Sequence, residues 1–358
     1  MTRLLACISS HGYGHFAMTA PILHELNKQP SITLTVRCEL PEKLIRSRIG
    51  GDFDIVPESS DFGIVMDSSL DVDLEKTAAA YRSLHADFSQ AVENEKAKLI
   101  SYEPDLILAN IPYVTIAAAK LAGIPTIAYC SLNWATIFHD YFIDTFPEAE
   151  SIFLEMKDAY NEAESFICPS PSMLMPGFTK IKKVGPVAKV AANQHEKIKA
   201  QLSLPQESKL VLVTPGGVYT DVPINDWPEL PGVIWITAWP YQSDRKDVVS
   251  IEQVKVPFNE LLVSCDAVIT KPGYGTVTET TCNGIPVLYV LRGDWPEEPF
   301  LESWWIEHGT VLKINRADFF AGNIAQSLTA LWALPQTLPV NATGVDDILL
   351  MIKPYLKK

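Results

Sequence analysis

One pattern occurs twice in the chain and constrains its fold more than any other feature. Asp105 and Asp266 each open an apolar stretch, which is followed by a helix-forming segment and then, at the same spacing, by Gly-Ile-Pro at residues 123–125 and 284–286. A glycine in the left-handed conformation ends a helix, and the proline stops the helix before the next apolar strand. Each copy predicts a strand–helix–strand unit, so we expect two α/β halves with parallel sheets and a ligand in the cleft between them.

The length and composition agree with two globular halves. A chain of 358 residues is long for one hydrophobic core and sufficient for two, and its apolar content of 47% favours burial over disorder. Residues 171–206 are rich in Pro, Lys and Gln, which is typical of a linker followed by an entry helix. We therefore expect an amino-terminal domain at residues 1–188 and a carboxyl-terminal domain at residues 189–342.

The charge of the chain limits its partners. A formal net charge of -14 opposes broad attraction to nucleic acid or to anionic lipid, so neither is expected as a partner. No apolar stretch is long enough to cross a bilayer, and the first residues lack the apolar region of a signal peptide, so we expect a cytoplasmic protein without a transmembrane segment. The six cysteines form no CxxC pair, which indicates buried thiols instead of disulfides or a zinc site.

The second copy of the repeated unit contains a candidate phosphate site. An apolar strand ends at Thr270, Gly273 and Gly275 follow Lys271, and a short helix is predicted over residues 276–282. The first N–H groups of a helix lack internal partners and carry a partial positive charge, so they attract a phosphate, and Lys271 adds a full charge beside them.

Glu279 extends this motif from a phosphate site to a nucleotide site. It lies one helical turn beyond Thr276, where it is badly placed beside a phosphate but well placed to accept hydrogen bonds from sugar hydroxyls. A phosphate together with a ribose makes a nucleotide. An isolated GxG would more simply serve a tight strand-to-helix turn, and Lys271 with Glu279 favours the functional interpretation.

A second glycine loop follows the first predicted strand. Residues 10–17 fit the pattern G-x-G-x-x-A, and Glu39 ends the next predicted strand, as in a dinucleotide-binding fold, so a nicotinamide dehydrogenase is one alternative. His15 is bulky where a pyrophosphate would approach the backbone. His11 and His15 flank the glycines at the end of a strand and instead suggest proton transfer, unless both rings only bond the loop backbone.

Other segments carry weaker signals. Asp71 and Asp73 form a D-x-D triplet directly before a helix predicted over residues 74–101, so helix capping explains them better than a metal, and no metal site is expected. Asn133, Trp134 and His139 could line an acceptor pocket or belong to an ordinary amphipathic helix.

Two further groups of residues could belong to a donor site. A diphosphate could bind at the glycine pair Gly216 and Gly217, although a plain turn is equally consistent with it. On a loop stiffened by prolines, Arg292 could reach a diphosphate while Glu297 and Glu298 grip sugar hydroxyls, and a solvated acidic turn is the alternative.

The whole chain resembles the GT-B-fold glycosyltransferases, most closely the amino-terminal glycosyltransferase-like half of plant L-arabinokinases. The resemblance rests on residues 11–15, 133–134, 271–279 and 297–301. It implies a fold of two Rossmann-like domains facing across a cleft, with a C-terminal helix at about residues 343–358 packing back on the first domain. It also implies donor contacts from Gly14, Gly273, Gly275 and Thr276 with Lys271 beside them, from Glu279 to the ribose, from Phe258 to the base, and from Glu297 and Glu298 to the sugar.

The same resemblance makes His15 the base that deprotonates the acceptor in an inverting transfer. Where inverting plant-type enzymes orient that histidine with an aspartate, this chain has Asn110, which can fix the tautomer of the ring but cannot stabilise an imidazolium by charge. The sequence thus predicts a metal-independent glycosyltransferase with a UDP-linked sugar donor as substrate and no other cofactor. A non-catalytic nucleotide-sugar-binding or regulatory module is the alternative.

Overall fold

The computed structural model describes residues 1–216, 220–237 and 244–357, which form two compact units. The amino-terminal unit comprises Met1–Asp67, Val72–Val187 and Thr343–Lys358, and the carboxyl-terminal unit comprises Ser68–Asp71 and Ala188–Ala342. Each unit has its own parallel sheet covered by helices, so the prediction of two α/β halves is confirmed.

The described part of the amino-terminal unit contains a seven-stranded sheet. Its strands are β1 (Thr2–Ile8), β2 (Ile32–Arg37), β3 (Asp54–Val56), β4 (Leu106–Asn110), β5 (Thr126–Tyr129), β6 (Ser165–Pro169) and β7 (Ile181–Val184). Their order across the sheet is β3-β2-β1-β4-β5-β6-β7, and every pairing is parallel. The central strand β4 is buried along its whole length, as its continuous apolar sequence predicts for a sheet covered on both faces.

The helices of this unit alternate with the strands. They are α1 (Gly14–Asn27), α2 (Glu42–Ile49), α3 (Leu74–His85), α4 (Phe88–Tyr102), α5 (Tyr113–Ala122), α6 (Trp134–Phe142) and α7 (Ala149–Asn161). The prediction of one helix over residues 74–101 is wrong, because the helical conformation is interrupted between α3 and α4. Asp87 there leaves the helical conformation, and its side chain accepts a hydrogen bond from the Gln90 N–H at 3.0 Å, which starts a new helix.

The described part of the carboxyl-terminal unit contains a six-stranded parallel sheet. Its strands are β8 (Lys209–Val213), β9 (Val233–Thr237), β10 (Val248–Ser250), β11 (Ala267–Thr270), β12 (Val287–Tyr289) and β13 (Val311–Lys313). Its helices are α8 (His195–Gln201), α9 (Phe258–Val263), α10 (Tyr274–Asn283), α11 (Glu298–His308), α12 (Arg316–Ala321) and α13 (Ala325–Ala333), with a 3-10 turn at Ile251–Gln253. The strand order β10-β9-β8-β11-β12-β13 repeats the order of the first six strands of the amino-terminal unit. This is the doubly wound order of a Rossmann fold.

The predicted linker contains regular structure. Strand β7 lies within residues 171–206 and pairs with β6 at the edge of the amino-terminal sheet. Its sequence, Ile-Lys-Lys-Val, contains two lysines, which an edge strand tolerates. Because of these charged residues, the composition of the segment did not predict a strand.

The end of the chain belongs to the amino-terminal unit. Helix α14 (Gly344–Ile352) packs against α1 and continues into a 3-10 turn at Lys353–Tyr355. Ile348 and Ile352 are fully buried, and the Lys357 N–H donates to Thr2 Oγ1 at 2.8 Å. Among the described helices, none combines the length and apolar character needed to cross a bilayer.

Candidate functional site

Both units place loops at the point where their strand order reverses. In the amino-terminal unit this point lies between β1 and β4, and in the carboxyl-terminal unit it lies between β8 and β11. Doubly wound sheets bind ligands there, beyond the carboxyl ends of the strands.

Helix α10 begins without a side-chain cap. Its first residues follow β11 directly, and Gly273, which has no side chain to cap the helix, occupies the N-cap position. Among the described residues, no acceptor bonds the N–H groups of Gly275 or Thr276. Gly273, Gly275, Thr276 and Glu279 form the partly exposed face of the helix, whereas the neighbouring residues are buried. The uncapped turn can therefore receive an anion.

Lys271 is buried beside this turn. Its side chain is 8% exposed, and within the described part of the chain no acceptor bonds its ammonium group. Burial lowers the pKa of Lys271 well below its ordinary value and the Arg292 guanidinium lowers it further, whereas the Glu298 and Glu297 carboxylates oppose this decrease. A buried ammonium without an acceptor is costly in the absence of an anionic ligand.

Gly216 makes room for Lys271. Gly216 follows β8 with φ of +129°, and a Cβ atom at this position would lie 3.0 Å from Lys271 Cε. A larger residue would be strained in this conformation and would push the lysine away. Its predicted partner Gly217 lies outside the described residues.

Arg292 lies close enough to lower the pKa of Lys271, and three contacts fix its position. Its Nε donates to the Ser69 carbonyl at 2.9 Å, and its guanidinium lies 4.5 Å from the centre of the Trp295 ring. Its backbone N–H donates to Glu298. Ser69 belongs to Ser68–Asp71, a segment distant in sequence whose Leu70 is buried in the core of this unit. No local sequence signal identifies this segment.

Glu297 and Glu298 are both buried, and Glu298 shapes the loop. The two Glu298 carboxylate oxygens accept from the N–H groups of Arg292 and Gly293, each at 3.0 Å. Glu297 accepts from the Trp295 indole N–H at 3.3 Å. The predicted contacts of both glutamates to a donor sugar stay predictions.

Glu279 has a partner that the sequence interpretation missed. Asn259 Nδ2 donates to Glu279 Oε1 at 2.5 Å, and Asn259 directly follows Phe258, the first residue of α9. Helices α9 and α10 are in contact. The contact between α9 and α10 thus links Glu279 to Asn259, the residue next to Phe258.

His15 and Asn110 meet in the amino-terminal unit. His15 is the second residue of α1, after the β1 loop, and Asn110 is the last residue of β4. His15 Nδ1 and Asn110 Oδ1 are 2.8 Å apart, and both residues are buried. The sequence prediction that Asn110 orients this ring agrees with that geometry.

The contacts of Asn110 determine the tautomer of His15. Thr19 Oγ1 donates its proton to the His15 carbonyl, so it accepts from Asn110 Nδ2 at 2.8 Å. Asn110 Oδ1 therefore faces the ring, Nδ1 carries the proton, and Nε2 keeps its lone pair. No described residue bonds Nε2. Burial lowers the pKa of His15 to about 4, against an opposing contribution from the Asn110 hydrogen bond, so the ring is neutral at neutral pH.

Trp134 packs against both loop histidines. The centre of its ring lies 5.1 Å from that of His15 and 5.0 Å from that of His11, and its indole N–H donates to Ser9 Oγ at 3.1 Å. Ser9 donates in turn to Asp61, a buried carboxyl that the sequence interpretation missed. Burial raises the pKa of Asp61 to about 7. Gly14, at the start of α1, is exposed.

The side chains of the remaining predicted acceptor residues have other described partners. Asn133 is fully buried, and its Oδ1 caps α6 by accepting from the Thr136 N–H at 2.7 Å. His139 contacts Phe153 and Asp140 and makes no contact with His15 or Trp134 in the described structure.

The D-x-D triplet performs two separate structural tasks. Asp73 caps α3 by accepting from the Lys76 N–H at 2.9 Å, as predicted, whereas Asp71 pairs with Arg316 at 2.8 Å. Glu39, the residue behind the dehydrogenase alternative, accepts a hydrogen bond from Ser10. Within the described ranges, no three His, Cys, Asp or Glu side chains are grouped to hold a metal ion.

Two kinds of comparison relate the chain to known proteins: one of sequences and one of folds. No family model matches the sequence. The chain is 22% identical over 333 residues to an L-arabinokinase of Arabidopsis thaliana, and the match covers 88% of this chain but only 30% of that relative. The chain thus spans less than a third of the length of this relative.

Solved structures match almost the whole chain. The spinosyn forosaminyltransferase SpnP is 16% identical with a TM-score of 0.60, and the match covers 99% of this chain and 94% of that chain. Arabidopsis thaliana UGT89C1, solved with UDP, is 16% identical with a TM-score of 0.57 and coverages of 98% and 100%. A putative UDP-N-acetylglucosamine 2-epimerase from Listeria monocytogenes is 14% identical with a TM-score of 0.62 and coverages of 99% and 97%. The chain therefore has the GT-B fold of two Rossmann-like parallel-sheet domains, as the resemblance in the sequence predicts.

Proposed function

We propose that this protein is an inverting, metal-independent glycosyltransferase that moves a sugar from a UDP-linked donor to an acceptor hydroxyl. The observation that carries the proposal is the first turn of α10, which begins at Gly273 without a side-chain cap, together with the buried Lys271 beside it, whose ammonium group has no hydrogen-bond acceptor among the described residues. A diphosphate would supply acceptors that these groups do not find among the described residues. The fold similarity to UDP-bound UGT89C1 supports uridine as the base.

In the proposed reaction, the carboxyl-terminal unit holds the donor. Lys271, Arg292 and the first turn of α10 stabilise the diphosphate as the bond from its oxygen to the anomeric carbon breaks and the electron pair stays on that oxygen. Glu279 accepts hydrogen bonds from the ribose, Phe258 contacts the base, and the donor sugar is held by Glu297 with Glu298.

The amino-terminal unit supplies the base. The acceptor oxygen attacks the anomeric carbon, and His15 Nε2, which keeps its lone pair through the Asn110 contact, takes the acceptor proton. The pKa of about 4 makes His15 a weak base, which is sufficient when the proton moves as the new bond forms.

Replacing His15 tests the proposal. His15→Ala should lower turnover by about 10²–10⁴-fold, the usual contribution of a positioned base, and should leave UDP affinity unchanged. The assay measures UDP release from UDP-glucose and UDP-N-acetylglucosamine with a panel of acceptors, and titration with UDP measures affinity. His24→Ala is the matched control because His24 lies on the same helix and bonds the Ile49 carbonyl instead. Equal turnover in His15→Ala and the parent protein would remove His15 from the mechanism.

A non-catalytic nucleotide-sugar-binding module is the second candidate. It is favoured by Asn110, which gives His15 no negative partner, and by the low pKa of the ring. Binding of UDP without release of UDP from any donor would support it. Mass spectrometry of the products also separates transfer, in which the acceptor gains the mass of a sugar, from isomerisation, in which the donor keeps its mass.

A further inference from the structure

Glu279 receives a hydrogen bond from a helix other than its own. Asn259 Nδ2 on α9 lies 2.5 Å from Glu279 Oε1 on α10, and Asn259 is 4% exposed. The contact joins two residues that are twenty positions apart in the sequence. Both lie near other predicted nucleotide contacts. Phe258 precedes Asn259, and Thr276 lies one turn before Glu279.

This bond restrains a flexible side chain before a ligand arrives. A glutamate loses rotamer freedom when it binds a ligand, and a fixed partner removes part of that loss in advance. Asn259 can act as a fixed partner because it is buried on α9, where Leu261 and Leu262 also pack into the core. A carboxylate accepts about four hydrogen bonds, so the bond from Asn259 is compatible with further hydrogen bonds to the same group.

The chemistry of the Asn259–Glu279 pair favours hydroxyl groups as its ligands. A carboxylate without a proton only accepts hydrogen bonds. The 2′- and 3′-hydroxyls of ribose are adjacent donors that can both bond one carboxylate. A sugar that lacks both hydroxyls offers the partly buried Glu279 carboxylate neither of these hydrogen bonds.

We propose that Asn259 is a positioning residue that holds the Glu279 carboxylate towards ribose hydroxyls and thereby makes the donor site selective for ribonucleotides over dideoxyribonucleotides. The inference rests on the proposed function, because it assumes that a nucleotide occupies the first turn of α10. It adds a specificity element from α9, which contributes Asn259 alongside Phe258.

The test compares the affinities of UDP and 2′,3′-dideoxyuridine diphosphate by calorimetric titration. The parent protein should prefer UDP by about 10-fold or more, as expected for charge-assisted hydrogen bonds to the missing hydroxyls. In Asn259→Ala this preference should fall to a few-fold because UDP binds more weakly, while the affinity for the dideoxy compound stays constant. If Asn259 had a purely structural role, its replacement would weaken the binding of both nucleotides equally and leave the ratio of their affinities unchanged.

Asn283→Ala is the matched control. Asn283 is also an asparagine that bonds Glu279, but its Nδ2 donates to the backbone carbonyl at 2.7 Å, so its loss should leave the preference for UDP intact. If Asn259→Ala fails to fold, Asn259→Leu keeps the volume of the side chain without the amide and should show the same loss of preference.

The outcomes separate the inference from the proposed function. Normal binding of UDP with an unchanged preference in a folded Asn259 variant overturns the inference alone. If the parent protein binds neither nucleotide, the proposed function fails and the inference fails with it.

Discussion

Asn110 sets both the orientation and the basicity of His15. Its Oδ1 holds the proton on Nδ1, and its neutral side chain leaves burial free to lower the pKa of the ring to about 4. An aspartate in the same place would keep the orientation and add a charge that stabilises the imidazolium. The amide of Asn110 therefore orients the base, whereas a carboxylate at position 110 would also increase its basicity.

This separation gives a prediction for Asn110→Asp. A neighbouring carboxylate raises a pKa of this kind by about 1–3 units, and a general base works only when unprotonated, so the acid limb of the kcat/KM profile should move to higher pH. In the parent protein that limb should lie near pH 4, well below the usual value for histidine. The measurement is the pH–rate profile of both proteins, and coincident acid limbs would contradict this role of Asn110.

The same pKa has a consequence for stability. An unfolded histidine titrates near pH 6.5 and His15 titrates near pH 4, so between these values the unfolded chain binds more protons. The contribution of His15 to stability is complete above about pH 6.5 and is lost as the pH falls towards 4. Asn110→Asp should reduce this loss because it raises the folded pKa.

Among the elements, α10 has in its first turn a glycine, Gly275, that packing against the described residues does not require. A Cβ atom on Gly275 would meet no described atom within 4 Å, and Gly275 has an ordinary helical conformation, so packing against the described residues does not require glycine there. Alanine would even favour the helix by up to about 1 kcal/mol. The absent side chain leaves a space beside the first turn of α10 that no described atom fills.

Gly275→Ala should therefore keep or raise the melting temperature and weaken UDP binding by about 10-fold or more, because a methyl group would occupy the space of a phosphate. Thermal unfolding and UDP titration on the same sample give both values. Gly216→Ala is the contrasting variant: φ of +129° and the contact with Lys271 Cε predict a lower melting temperature. Unchanged UDP affinity in Gly275→Ala would place the diphosphate elsewhere.

For the whole molecule, the final helix connects the end of the chain to its beginning. Helix α14 packs on α1, Lys357 Nζ pairs with Asp105 at 2.7 Å, and Asp347 accepts from the Gly185 N–H at 3.0 Å. The amino-terminal unit is thus completed by residues that follow the whole carboxyl-terminal unit in sequence.

Two substitutions on α14 measure this contribution. Ile348→Ala removes a fully buried side chain and should destabilise the protein by about 2–5 kcal/mol. Leu350→Ala, on the same helix but 68% exposed, should change stability by no more than about 0.5 kcal/mol. Denaturant unfolding gives both values, and equal effects would mean that α14 does not pack on this unit in solution.

The sequence by itself determined the repeated α/β units, their parallel sheets and the glycine turn at the start of α10. These features follow from local rules: apolar runs form strands, glycine ends helices and an uncapped first turn attracts anions. The same rules did not separate α3 from α4, because both sides of Asp87 have helical patterning and only its capping bond marks the break.

Only the tertiary structure decided which side chains support the candidate site. Asn259, Ser69 and Asp61 act through contacts with residues far away in sequence, and an asparagine, a serine or an aspartate carries no local signal of such a partner. Burial likewise lowers the pKa values of Lys271 and His15, since desolvation depends on all atoms packed around a group. The sequence determines where a charged group lies along the chain, and the folded surroundings determine its protonation state and its partners.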